Sequence, residues 1–127
     1  MKYIVESAKS VDQAVAALHE AVPAHGFGIL HIHNLKETMA KKGVAFDHDC
    51  QILDVCNPGK AKAVLSEDMA MSLVLPCKIS VYEEGGKTHI GMVRPSALLG
   101  VMSDSPAMAS VAAEVEATLI AIIDAAA

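Results

Sequence analysis

Tryptophan is missing from this chain, and with two Tyr and two Phe the aromatics amount to only 3% of 127 residues. The core must therefore be built from Val, Ile, Leu, Met and many Ala, within an apolar share of 53%. Cysteine is scarce: Cys50, Cys56 and Cys77 are three in number and lack CxxC spacing. An odd, sparse set excludes a disulfide scaffold and fits reduced thiols in the cytoplasm. Basic clusters are absent, the densest spot being Lys41-Lys42, and the net charge is -5. Nucleic-acid affinity comes largely from Lys and Arg neutralising phosphates, so nucleic acid is not an expected partner. No apolar run reads as a membrane span. The start Met1-Lys2-Tyr3-Ile4-Val5-Glu6 places an acid directly after its apolar residues, so an export signal is not expected either. Phosphate-binding loops and a GxSxG elbow are missing, and Gly26-Phe27-Gly28 has no third glycine at dinucleotide-binding spacing.

What is present is enough for one domain over residues 1–127, since no repeat and no Pro/Ser-rich linker divides the chain. Roughly two-thirds of the unfolded surface is buried at this size without disulfide or metal. The apolar share is high for so small a body, which leads to the expectation of a homodimer that covers the excess.

Lys2 to Ser7 has the pattern of a strand. Ser10, with Gln13 three residues on, forms a capping box, and Val11, Val15, Leu18 and Val22 set an apolar helical stripe that Pro23 and Gly26 should end. Phe27 to Asn34 predicts a second strand, Leu35 to Gly43 a helical turn or two, and Asp49 to Cys56 a third strand. Asn57-Pro58-Gly59 breaks that strand, and Pro58 favours a short helix over Lys60 to Leu65. Cys77 to Arg94 predicts a hairpin around Gly85-Gly86, a pair tolerant of the positive φ a two-residue turn needs. Ser105-Pro106 caps a last helix along Met108, Val111, Ala112, Val115, Leu119, Ile122 and Ile123. The expected fold class is α+β: a mainly antiparallel five-stranded sheet, covered on one face by two principal helices, Val11 to about Ala21 and Pro106 to about Ile123, with short helical inserts.

The triplet Cys56-Asn57-Pro58, about twenty residues before Leu75-Pro76-Cys77-Lys78-Ile79-Ser80-Val81-Tyr82-Glu83, resembles the hallmark of domain-of-unknown-function family 302. His25-Gly26-Phe27-Gly28 and Arg94-Pro95 resemble that family as well, so that the likeness covers nearly the whole chain. The triplets are short, but their order and spacing together are hard to obtain by chance. The resemblance implies the fold of the TATA-binding-protein half-repeat, β-α-β-β-β-β-α, and a homodimeric cytosolic protein. It implies no reaction, and a fold label by itself implies no DNA binding.

Two constellations carry candidate chemistry. Counting from Gly85-Gly86, Tyr82 faces His89, Val81 faces Ile90, Ile79 faces Met92 and Cys77 faces Arg94. A guanidinium beside Cys77 would favour its thiolate, the reactive and metal-binding form. Cys56 should share that sheet edge with Cys77 if the two strands are antiparallel neighbours, whereas Cys50 lies roughly 20 Å from Cys56 on one strand and cannot reach it. The expected site is therefore Cys56, Cys77, Arg94 and, through the triplet it shares with Cys56, Asn57. The competing reading makes both thiols small buried hydrophobes and pairs Arg94 with Asp54 or a C-terminal acid.

The second constellation is His31 and His33, two apart on a strand and so on one face. They would need partners from Asp47, His48, Asp49 or His89 to close a coordination shell. No metal site is expected there. Met69, Met71, Leu73 and Leu75 alternate before Pro76 and suit a pocket wall, a subunit contact or core filling.

Three function classes follow. The first is a homodimeric module binding a small or redox ligand, such as a soft metal, an anion or a sulfur species, at the Cys56/Cys77/Arg94 edge. The second is a thiol enzyme using Cys77 or Cys56 as nucleophile, and the third is a structural or interaction protein. Whether the chain is an enzyme, and with what cofactor, stays open at this level.

Overall fold

In a computed structural model of all 127 residues, the elements are β1 (Lys2–Ser7), α1 (Val11–Ala24), β2 (Gly28–Asn34), α2 (Leu35–Lys41), β3 (Cys50–Cys56), α3 (Pro58–Glu67), a 3-10 helix (Met69–Val74), β4 (Cys77–Glu84), β5 (Lys87–Val93), α4 (Pro95–Met102) and α5 (Pro106–Ala126). The strands form one sheet in the order β1-β5-β4-β3-β2, with every neighbouring pair antiparallel. The α+β class with its five-stranded antiparallel sheet is thus as the pattern of residues predicts.

Local chemistry explains the termini. Ser10 and Gln13 form the reciprocal cap of α1, the Ser10 hydroxyl accepting from the Gln13 N–H at 3.1 Å and the Gln13 amide accepting from the Ser10 N–H at 2.9 Å. Pro23 does not end α1, which runs through it to Ala24. The stop is Gly26, whose φ of 81° is a left-handed conformation open to glycine. The hairpin turn is Gly85-Gly86, with φ of 62° and 74°, and its ladder pairs Ser80↔Gly91 through Glu84↔Lys87.

Two helical pieces depart from the expected order. Met69 to Val74, left without an element by the sequence pattern, winds into a 3-10 helix capped by Asp68, with Met71 buried as core filling and Met69 and Leu73 exposed. Pro95 to Met102 forms α4, started by Pro95 at its first turn. The helix α5 also corrects the reading that no apolar segment has membrane-spanning length. Within its 21 residues an 18-residue stretch reaches a mean hydropathy of 1.6, but the face formed by Met108, Ala112, Val115, Leu119, Ile122 and Ile123 is buried within the fold.

The helices α1 and α5 cover one face of the sheet. Leu18, Val22, Leu53, Val55, Ile79, Val81, Ile90, Leu119, Ile122 and Ile123 form the main core, each fully or almost fully removed from water. Each such side chain contributes roughly 1.5 to 3 kcal/mol to stability. The other face is more open, and Ile4 and Val93 are about half exposed, at 45% and 46%. A second, smaller core of Val64, Met71, Leu99, Met108 and Ala112 joins α3, the 3-10 helix, α4 and α5. The two cores meet along a seam at the end of the sheet where β3 stops and β4 starts. That seam holds the site.

Candidate functional site

Cys56 is the last residue of β3 and Cys77 the first of β4. The register pairs Val55 with Cys77, which leaves the Cα atoms of Cys56 and Cys77 roughly 6 Å apart, from the spacing of antiparallel neighbours. Cys50 pairs with Tyr82 at the far end of the same two strands. All three thiols are free and partly buried.

Both Cys56 and Cys77 border a cavity of about 260 Å³ between the two cores, walled by Phe27 and Val115 on the main-core side and Val64 and Leu99 on the other. Its surface is almost wholly apolar. Asn57 also borders it, but its amide is engaged in building the wall. Its Oδ1 accepts from the Lys60 N–H at 3.1 Å, capping α3, while its Nδ2 donates to the Gly26 carbonyl at 3.1 Å, tying α3 to the end of α1. Lys60 lies at the same cavity, and its ammonium is paired with Glu114.

A second cavity of about 250 Å³ lies on the other side of Leu75-Pro76-Cys77, bounded by Leu73, Val93 and Leu98 among others. Leu75, Pro76, Cys77 and Leu99 border both spaces. The peptide bond between Leu75 and Pro76 is cis.

Burial pushes the Cys77 thiol up to about 11, and the neighbouring Cys56 adds to the shift. This reverses the expectation that Arg94 activates Cys77. Arg94 lies beyond the end of β5, where its N–H bonds the Met1 carbonyl at 2.7 Å and it serves as the N-cap residue of α4. Its guanidinium stands over the Tyr3 ring, 5.2 Å from the centroid, with Nη1 3.6 Å from Glu116. The hydroxyl and N–H of Ser96 also bond Glu116, at 2.6 and 3.1 Å, and these contacts with Arg94 hold that carboxyl below its usual range. A C-terminal acid has taken the cation, so Arg94 belongs to a structural network and not to the thiol pair. Sequence spacing missed this because a hairpin ladder extrapolated past its last pair assumes that the chain continues straight.

His31 and His33 do share a face, their rings 4.5 Å apart edge to face. His33 Nε2 is 2.8 Å from Asp54, which also accepts from Lys78 at 2.8 Å. Burial alone would raise the Asp54 carboxyl, but the hydrogen bonds from Lys78 and His33 outweigh it and leave the pKa lowered. No three His, Cys, Asp or Glu side chains are grouped so as to hold a metal ion. Tyr82 and His89 stack with their centroids 5.1 Å apart.

The model of the domain of unknown function DUF302 matches residues 3–126. The chain belongs to the DUF302 family. The chain is also similar to a crystal structure of an uncharacterized conserved DUF302 protein from Bacillus stearothermophilus, with 36% identity, a TM-score of 0.93, and coverage of 99% of this chain and 98% of that one. No curated protein matches. Family membership thus agrees with the resemblance carried by Cys56-Asn57-Pro58 and Leu75-Pro76-Cys77. The likeness to a TATA-binding-protein half-repeat is a separate label, and nothing in these matches bears on it. What the DUF302 triplets do in the fold is now visible: one caps α3 and the other partitions two cavities.

Proposed function

We propose that this DUF302 chain is a small-ligand-binding module whose site is the apolar cavity beneath Cys56 and Cys77. The observation that carries this reading is the concave, almost wholly apolar space of about 260 Å³ between the two cores, since small-molecule sites are concave and mostly apolar clefts. An apolar cavity of about 150 Å³ is enough to take up benzene. Cys56 and Cys77 supply soft, polarisable contacts there, and a protonated Cys77 makes ligand contact a better-supported role than nucleophilic attack. Arg94 has no part in this site.

The test uses benzene and cyclohexanol as probes, followed by methyl NMR of the full chain. Shifts at Val64 and Leu99 are expected for the wild-type protein and are lost in Ala61→Phe, which fills the cavity from α3. No shift with either probe, or shifts indifferent to Ala61→Phe in a variant that stays folded, would overturn the reading.

The module is further proposed to act as a cytosolic homodimer. Support comes from the half-exposed Ile4 and Val93 and from Ala113, Ala117 and Ala121, which stand exposed on α5 and would let a second chain approach closely. Sedimentation at micromolar concentration should give twice the chain mass of 13.3 kDa, and a purely monomeric boundary would reject it.

A further inference from the structure

The two cavities on either side of Leu75-Pro76-Cys77 both open to water. The one beneath Cys56 opens beside the exposed Ser72, and the other past Leu73 and Val93, which are 77% and 46% exposed. An apolar mouth of this kind is unfavourable in water unless something apolar passes it. Leu75 and Leu99 are side chains of the partition, and neither is held by a polar contact. Lysines border both spaces, but neither is a free cation: Lys60 is paired with Glu114 and Lys78 with Asp54 at 2.8 Å. An anionic head group would therefore have to displace a carboxylate.

From this arrangement we infer that the two cavities are halves of one tunnel open at both ends, and that its occupant is an uncharged aliphatic chain lying through it from Leu73 and Val93 to Cys56. The inference rests on the small-ligand reading and adds the ligand's class, shape and path. By the benzene comparison, each cavity accommodates roughly ten heavy atoms. A chain longer than that needs both, with Leu75 and Leu99 turning aside.

The test is a titration of the full chain with 1-hexanol, 1-octanol, 1-decanol and 1-dodecanol, read by methyl NMR at Val64 on one side and Leu98 on the other. Affinity should strengthen about three- to four-fold per added methylene through 1-dodecanol, from the transfer free energy of a buried CH₂. The longer alcohols should shift both methyl sets. In Leu98→Trp, which fills the cavity beside Leu73 and Val93, benzene should still bind in the other cavity while the gain with chain length is lost. Dodecanoate should bind more weakly than 1-dodecanol. Should benzene bind while the alcohols show no gain with length, or should dodecanoate bind more tightly than the alcohol, the tunnel is wrong and the small-ligand reading survives. Should neither benzene nor any alcohol bind, both fall.

Discussion

Cys77 offers the sharpest test of the site's chemistry, because its surroundings reverse what a guanidinium beside it would do. Burial, with Cys56 adding to it, raises the thiol from an ordinary 9.0 to about 11. Two pH units mean about one hundredth of the thiolate that a free thiol carries at neutral pH. The thiolate is the nucleophile, so alkylation of Cys77 should be slower by about that factor in the folded chain. The assay is iodoacetamide labelling of a Cys50→Ser/Cys56→Ser variant between pH 7 and 10, with the urea-unfolded chain as reference. Part of the shift comes from Cys56, so the variant's apparent pKa should fall slightly below the wild-type value while staying well above 9. Linkage supplies an independent readout. A thiol whose folded pKa is raised favours the folded state below the unfolded pKa, and that contribution is lost as pH rises from about 9 to about 11. At 1.36 kcal/mol per unit, roughly 2 to 3 kcal/mol should disappear across that window in the wild type, less in a Cys77→Ala variant. Labelling at the rate of the unfolded chain at pH 7, or a stability curve flat in that window for both proteins, would refute the argument. Arg94→Ala should leave Cys77 labelling unchanged, because its cation is held by Glu116.

Three other outcomes are expected. Gly91→Ala places a Cβ 2.8 Å from Ile4 Cγ1 and 3.0 Å from the Tyr3 carbonyl oxygen, and should cost about 1 to 3 kcal/mol in urea unfolding, partly recovered by adding Ile4→Ala. Asn57→Ala removes both the cap of α3 and the link to Gly26, and should lower stability by about 1 to 2 kcal/mol, with hydrogen exchange rising first in α3. Asp54→Asn should destabilise the chain at pH 7 and progressively less in acid, since a carboxyl with a depressed pKa stabilises above its unfolded value and loses that effect as pH falls through the folded one. A variant equally destabilised at pH 7 and in acid would contradict that account.

Much of this architecture is legible in the residues because its local signals agree with its global packing. The Ser10/Gln13 cap, the Gly85-Gly86 turn and the stripes of α1 and α5 each have one low-energy outcome, and the sheet follows from them. The illegible parts are those where tertiary contacts decide. Met69 to Val74 alternates without fixing an element, and with Asp68 capping it and Met71 falling into the smaller core, the segment coils. Pro23 looks like a helix stop, but the chain carries α1 one residue past it, up to the left-handed Gly26. The neighbourhood of Cys56 and Cys77 could be read from strand order alone. The fate of Arg94 could not, because Glu116 is 22 positions away on a helix whose rotation only the packed structure fixes.

The residues that carry the DUF302 resemblance acquire a common physical role once the seam is seen. Asn57 spends its side chain on two backbone groups, and thereby fixes where α3 starts relative to the end of α1. Leu75-Pro76-Cys77 crosses the seam from the other side and borders both cavities. Between them they set the separation of the main and the smaller core, which a continuous hydrophobic packing would otherwise close. An open pocket lined by Val, Leu, Phe and Pro side chains keeps apolar surface in contact with water, at an energetic cost that grows with its area. Filling it from within the chain would need only a larger residue at Ala61, which lines it from α3. An occupied cavity regains the lost dispersion contacts and the cost disappears. On the proposed reading an apolar ligand would cover that surface, with the thiols as part of the pocket wall and Arg94 as part of the frame that joins β1, β5 and α5.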